Sequence, residues 1–171
     1  MPFPIEPQQE TDWCWAAVTD SVEQYFDSKS TLTQCEIANR MLGRDCCNDP
    51  DSCNLAFKLQ DVLRPLGRLA DSMVGYPPFT DLKKELTANR PIAVRIGWFG
   101  GGAHFVVICG YKVLPSGARI LQIADPFYGN LVDGEYFGIW EIDYDLFPES
   151  YQQGGDWTAT FFLKPKPGDQ R

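Results

Sequence analysis

The chain contains one histidine, His104, and that single imidazole gives direction to any chemistry that needs a base. A thiol attacks as its thiolate, which requires a base within reach and a locally positive field. From Cys14 onward, Ala17, Val18, Val22 and Tyr25 recur at helical spacing, with Asp12 as the expected N-cap. Cys14 is thereby predicted at a helix N-terminus, beside unpaired backbone N–H groups and the positive end of the helix dipole. His104 follows the loop Gly97-Trp98-Phe99-Gly100-Gly101-Gly102 and opens the apolar run Phe105-Val106-Val107-Ile108, which predicts a place at a strand end.

The next strand runs from Arg119 to Asp125 and returns through the turn Pro115-Ser116-Gly117. Folding that hairpin brings Asp125 roughly opposite His104, where a carboxylate would fix the imidazole tautomer and stabilise the imidazolium. Acyl transfer also needs donors for a developing oxyanion. Gln8, six residues before Cys14, could supply a side-chain amide beside the Cys14 backbone N–H, with Gln9 as the nearby competitor. Cys14, His104, Asp125 and Gln8 are the expected catalytic residues, and no cofactor or metal is called for.

These residues must be held by two kinds of element. The helix from Cys14 to Tyr25 is followed by a capping box, Thr33 with Glu36, that opens a helix ending at Gly43. Asn54 is expected to cap a helix carrying Leu55, Leu59, Val62 and Leu63, and Thr80 a shorter one with Leu82 and Leu86. Beyond Pro91 the pattern becomes strand: Ile92–Trp98, Ala103–Val113, Arg119–Asp125, Tyr136–Asp143 and Trp157–Leu163. No crossover-length helix separates them, so antiparallel pairing follows. The expectation is one α+β domain over residues 1–171, helical to about residue 90 and sheet from about 91 to 163, with a cleft between the halves.

Gln8, Asp12-Trp13-Cys14-Trp15-Ala16-Ala17, Ala103-His104-Phe105-Val106-Val107 and Asp125-Pro126 together resemble a bacterial papain-like cysteine peptidase. The nearest branch in kind is that of plant-pathogen effector peptidases, and more distantly the leader-cleaving peptidase domains of bacteriocin exporters, which share the order Gln, Cys, His, Asp. The resemblance implies a helical half bearing the nucleophile, a sheet half bearing His104 and Asp125, and a peptide substrate in the cleft. It also implies amide hydrolysis through an acyl-enzyme. Asp125 stands where plant and lysosomal papain relatives use Asn, and this chain is shorter, so their substrate pockets do not transfer. Two rivals remain: acyl transfer to an amine, as in transglutaminase-like folds, and a catalytically silent papain-like binding module. An effector role would make the target a host or competitor protein.

Composition narrows the partners. A net charge of −8 has the wrong sign for a phosphate backbone or an anionic bilayer, so neither nucleic acid nor membrane is an expected partner. Cys35, Cys46, Cys47 and Cys53 crowd one segment. Adjacent cysteines fit zinc-ligand spacing poorly, and two disulfides are the better reading, with three possible pairings and a direct Cys46–Cys47 bridge sterically disfavoured. Disulfides point to a secreted or exported protein, although the opening Met1-Pro2-Phe3-Pro4 lacks the pattern of a signal peptide. Cys109 reads as a core residue and Trp13 and Trp15 as core packing. Asp20, Glu23 and Asp27 read as a solvated helix face, and Lys164–Pro167 as a frayed tail.

Overall fold

Strand alternation decides which side of the central sheet meets which helix. The computed structural model describes residues 2–170; Met1 and Arg171, the outermost residues of the expected domain, lie outside that range. Six strands form one antiparallel sheet: β1 (Leu69–Val74), β2 (Ile92–Trp98), β3 (Ala103–Val113), β4 (Arg119–Ala124), β7 (Ile139–Asp143) and β8 (Gly155–Leu163), in the order β1-β8-β2-β3-β4-β7. A separate ribbon pairs β5 (Asn130–Val132) with β6 (Glu135–Phe137). Ala93, Phe105, Val107 and Phe161 turn one way, into a core shared with α1 (Cys14–Phe26), α2 (Gln34–Leu42) and α4 (Leu59–Leu63). Ile92, Val94, Ile96, Val106 and Ile108 turn the other way, against Phe79, Leu82 and Leu86 of α5 (Phe79–Thr87). The period of two thus splits one apolar run into two cores, with helices on both faces.

α2 begins as the capping box predicts: Thr33 Oγ1 accepts from the Glu36 N–H, and Glu36 Oε2 accepts from the Thr33 N–H. It ends at Gly43 in the left-handed region, φ 65°. α1 departs from expectation at its start, because Trp13 is the N-cap residue and offers no side-chain cap. Asp12 is instead held outside the helix, its N–H donating to Asn54 Oδ1 at 2.8 Å. The same contact explains why the helix expected from Asn54 to Leu63 is absent. Asn54 spends its side chain on Asp12 and Thr11, and the Cys53 and Leu55 carbonyls accept the Trp13 and Trp15 indole N–H groups. A short α3 (Pro50–Cys53) precedes this stretch and α4 starts only at Leu59.

Other differences are smaller. β1 carries no apolar alternation, being exposed along most of its length at the sheet edge. α5 starts at Phe79, one residue before the expected Thr80, without a side-chain cap. The strand expected over 136–143 breaks at Gly138, where an added Cβ would stand 2.4 Å from the Asp125 carbonyl oxygen. Cys35–Cys47 and Cys46–Cys53 are the two disulfides, and Cys14 and Cys109 are free.

The expected solvated face of α1 is also wrong for two of its three acids: Asp20 and Glu23 are 6% and 4% exposed. Arg68, fully buried, grips Glu23 with Nε and Nη2, each at 2.9 Å, and pairs with Asp169 through Nη1. Lys166 Nζ adds a bond of 3.0 Å to Glu23 Oε2, and the Lys164 N–H donates to the Arg68 carbonyl at 2.9 Å. The segment expected to fray is therefore tied across α1 by charge, which its Lys/Pro composition does not reveal.

Candidate active site

Cys14 is the first residue of α1, and the helix makes its first outward backbone bond only from the Ala17 N–H, to the Trp13 carbonyl. The N–H groups of Cys14, Trp15 and Ala16 are thus the orphan donors of the first turn, with no side-chain cap competing for them. Two indoles fix this turn in place, since Trp13 and Trp15 are fully buried and anchored to the segment after the Cys46–Cys53 bridge. Cys14 itself is 8% exposed, and what it exposes faces the cleft.

His104 is the second residue of β3, and its ring faces the same cleft as Cys14, whose sulfur helps to raise the imidazole's pKa. Its Nε2 lies 2.8 Å from Asp125 Oδ1, so Nδ1 is the ring nitrogen left for the thiol. The hairpin register explains the meeting. Val107 pairs with Ala124, so Asp125 lies one step past that pair and on the same sheet face as His104, diagonally displaced.

Asp125 is completely buried and heavily bonded. Oδ1 accepts from the Phe127 and Tyr128 N–H groups at 2.8 and 3.0 Å, and Oδ2 accepts from the Tyr151 hydroxyl at 2.8 Å. Burial alone would raise its pKa, but the His104 hydrogen bond, the His104 charge and the two backbone donors hold it below the usual carboxylate range. For His104, burial is the largest influence and works against the charged form. The hydrogen bond to Asp125, the Cys14 sulfur and the charges on both outweigh it, raising the imidazole from 6.5 to about 9. Trp98 stacks on the ring at 5.9 Å between centroids, and Tyr128 and Phe127 stand edge-on at 5.9 and 6.3 Å. This aromatic collar keeps water from the His104–Asp125 bond.

Gln8 reaches the same cleft with a different arrangement from the one expected. Its Nε2 donates to the Glu10 and Thr11 carbonyls at 2.8 and 2.7 Å, which uses both amide hydrogens on the loop leading to Cys14. Its Oε1 is buried and has no hydrogen-bond partner. Gln9, the competitor, uses its backbone N–H on Gln34 Oε1. Cys109 lies in the sheet at 2% exposure with burial pushing its thiol up to about 11, as suits a core residue. Among the described residues, no group of three or more His, Cys, Asp or Glu side chains is placed to hold a metal ion.

Sequence reasoning overlooked Tyr151, Tyr136 and Trp98. Tyr136 donates its hydroxyl to the Asp125 carbonyl at 2.9 Å, gripping the backbone as Tyr151 grips the carboxylate. One signal was available: Asp followed by Pro and two further turn residues is an Asx-turn pattern, which foretells the Phe127 and Tyr128 N–H bonds.

The cleft between the halves has a volume of about 1320 Å³ and runs from Gln8, Cys14 and His104 past Phe57 to Ser72 and Phe161. A thiol on a helix N-terminus, paired across a cleft with a carboxylate-bound imidazole, defines the class of papain-like cysteine peptidases. A family model described as papain-like cysteine protease AvrRpt2 matches residues 1–133, and the chain belongs to that family. Among solved structures, the bromelain protease from Ananas comosus, in complex with the E64 inhibitor, has a TM-score of 0.55 at 11% identity, covering 95% of this chain and 93% of its own. The proform of the ragweed pollen allergen Amb a 11, a cysteine protease, has a TM-score of 0.42 at 13% identity, covering 98% of this chain and 68% of its own. No curated protein matches by sequence.

Proposed function

We propose that this cysteine peptidase hydrolyses peptide bonds through Cys14, His104 and Asp125, within one catalytic domain. The observation that carries the reading is the His104 imidazole, bonded through Nε2 to the buried Asp125 carboxylate and sharing the cleft with Cys14 at the start of α1. The Cys14 thiolate attacks the scissile carbonyl carbon, forming a carbon–sulfur bond and a tetrahedral oxyanion. The oxyanion takes the Cys14 backbone N–H, with the Trp15 N–H beside it in the same uncapped turn. Collapse breaks the C–N bond, and the His104 imidazolium gives its Nδ1 proton to the leaving amine. Water, deprotonated by His104, then attacks the thioester and releases the acid. Asp125 orients His104 throughout.

Gln8 is proposed as the third oxyanion donor, which requires its amide to leave the Glu10 and Thr11 carbonyls when substrate arrives. Gln8→Ala therefore keeps residual activity. The two disulfides support a working place outside the reducing cytosol, as a secreted effector whose substrates are host or competitor proteins.

Incubation with E64, an electrophilic epoxide and the inhibitor named with bromelain, tests the reading. The expected result is a single covalent adduct on Cys14, lost in Cys14→Ala and much slowed in His104→Ala. An adduct on Cys109, or none, contradicts it. Added alkylamine with a cleavable peptide separates the transferase rival, since hydrolysis gives free acid and transfer gives the amide.

A further inference from the structure

We infer that Arg95 is a specificity determinant, a cation on the cleft floor that selects an aspartate or glutamate side chain within one or two residues of the scissile bond. The inference rests on the peptidase reading above and names the substrate feature that this site prefers.

Five of the fifteen Lys and Arg residues in this acidic chain pair with carboxylates, and apart from Arg95 the unpaired ones among the described residues are exposed. Arg68 holds Glu23 and Asp169, Arg90 holds Glu85, Lys112 holds Glu141, Arg119 holds Asp145 and Lys166 holds Glu23. Arg95 is different. It lies mid-sheet on β2, half-buried, opposite Phe105 of β3 and Ala159 of β8, and lines the same cleft as Cys14 and His104. Among the described residues, its side chain makes one hydrogen bond, from Nη1 to Thr158 Oγ1 at 2.8 Å, and no carboxylate stands within ion-pair distance. A guanidinium has five N–H donors, so most of its hydrogen-bonding capacity and its whole charge remain for a ligand.

Placement aims that capacity at substrate. Alternation turns Arg95 with Ala93 and Gly97 toward the helical half of the molecule. The guanidinium folds along the strand, with Nη1 3.9 Å from where a Gly97 Cβ would be. Gly97 pairs with Ala103, the residue immediately before His104. At about 3.3 Å per residue, an extended peptide with its scissile bond at Cys14 passes Arg95 within one or two residues. Phe105 and Phe161 flank this floor and would cover the methylenes of a bound acidic side chain. In such partly dry surroundings a charge-assisted, two-pronged Arg–carboxylate contact is strongest. The other charged residues lining the cleft, Asp12, Lys58 and Asp61, belong to the opposite, helical wall.

The test is a synthetic peptide mixture, with Glu, Gln or Lys at each position near the cut site, digested by the wild-type protein, Arg95→Gln, Arg95→Glu and Thr158→Val. Products are read by mass spectrometry. The expected wild-type result is a preference of about tenfold or more in kcat/KM for Glu over Gln at one position, the size of one charge-assisted hydrogen bond. Arg95→Gln should erase that preference, Arg95→Glu should turn it toward Lys, and Thr158→Val, which removes the hydrogen-bond partner but not the charge, should keep it. Cleavage by the wild type without acidic preference, or a preference unchanged in Arg95→Glu, overturns the assignment to Arg95 while leaving the peptidase reading intact. Equal loss on all peptides in Arg95→Gln and Arg95→Glu, with folding preserved by circular dichroism, likewise reduces Arg95 to a structural residue. No cleavage of any peptide by protein that retains its fold overturns both.

Discussion

At His104, desolvation and pairing pull in opposite directions, and pairing wins. An imidazole raised from 6.5 to about 9 stays protonated beside the Cys14 thiol through neutral pH. The sign follows from linkage: this group's contribution to folding is fully present below 6.5 and is lost as pH rises through about 9. Under the proposed chemistry the same ionisation sets the alkaline limb of the rate, because a neutral ring has no proton for the leaving amine. We predict that kcat/KM falls above pH about 9, and that Asp125→Ala moves this limb downward by removing both a hydrogen bond and a charge. An unmoved limb in that variant, measured by pH–rate profile, assigns the ionisation to another group. The pair itself was legible in the sequence because one histidine leaves one assignment, and a hairpin turn of known place brings Asp125 to it. Tyr151 was not legible. It approaches Asp125 from 26 residues away through a contact that no local pattern encodes.

At the scale of elements, the first turn of α1 depends on a loop that lacks regular structure for most of its length. The Cys53 and Leu55 carbonyls hold the two indoles flanking Cys14, and the Cys46–Cys53 bridge holds Cys53. Cys46→Ser with Cys53→Ser should lower stability by about 2–3 kcal/mol in denaturant melts and lower turnover as well, although neither residue lines the cleft. Unchanged turnover would detach the loop from the site. The same region shows where periodicity misleads. Leu59, Val62 and Leu63 share helical spacing with Leu55, yet Leu55 is 43% exposed and outside the helix. Side-chain and indole bonds claim the backbone there, and these are tertiary facts. Where local chemistry is self-sufficient, as in the Thr33–Glu36 capping box or the strands Ile92–Trp98 and Ala103–Val113, sequence boundaries and structure coincide.

Across the whole molecule, charge ties the chain's last segment to its first helix. Arg68→Ala would leave Glu23 buried without its main counter-ion, and a loss of about 3–5 kcal/mol is expected by chemical denaturation. Asp20, on the same helix, has the opposite sign. Burial raises its carboxyl from 3.8 to about 6, with Gln24 opposing and the charges of Glu6 and Glu36 adding to the rise. Its ionised form therefore costs stability above about pH 6 and nothing below the unfolded value. Asp20→Asn keeps an acceptor for Gln24 and should stabilise by on the order of 2 kcal/mol at alkaline pH, with the gain shrinking as pH falls toward 4. Equal thermal shifts at both ends of that range would refute the account. Neither burial was legible, because acids spaced along an amphipathic helix look solvated until the covering segment is known.

The central claim is that peptide bonds are cut by the Cys14 thiolate acting with His104. The most direct measurement is release of new peptide N-termini from a mixed peptide substrate by the wild-type protein, Cys14→Ala and His104→Ala, each confirmed folded and with both disulfides intact. The account predicts turnover in the wild type and none above background in either variant. Wild-type rates surviving in Cys14→Ala would contradict it.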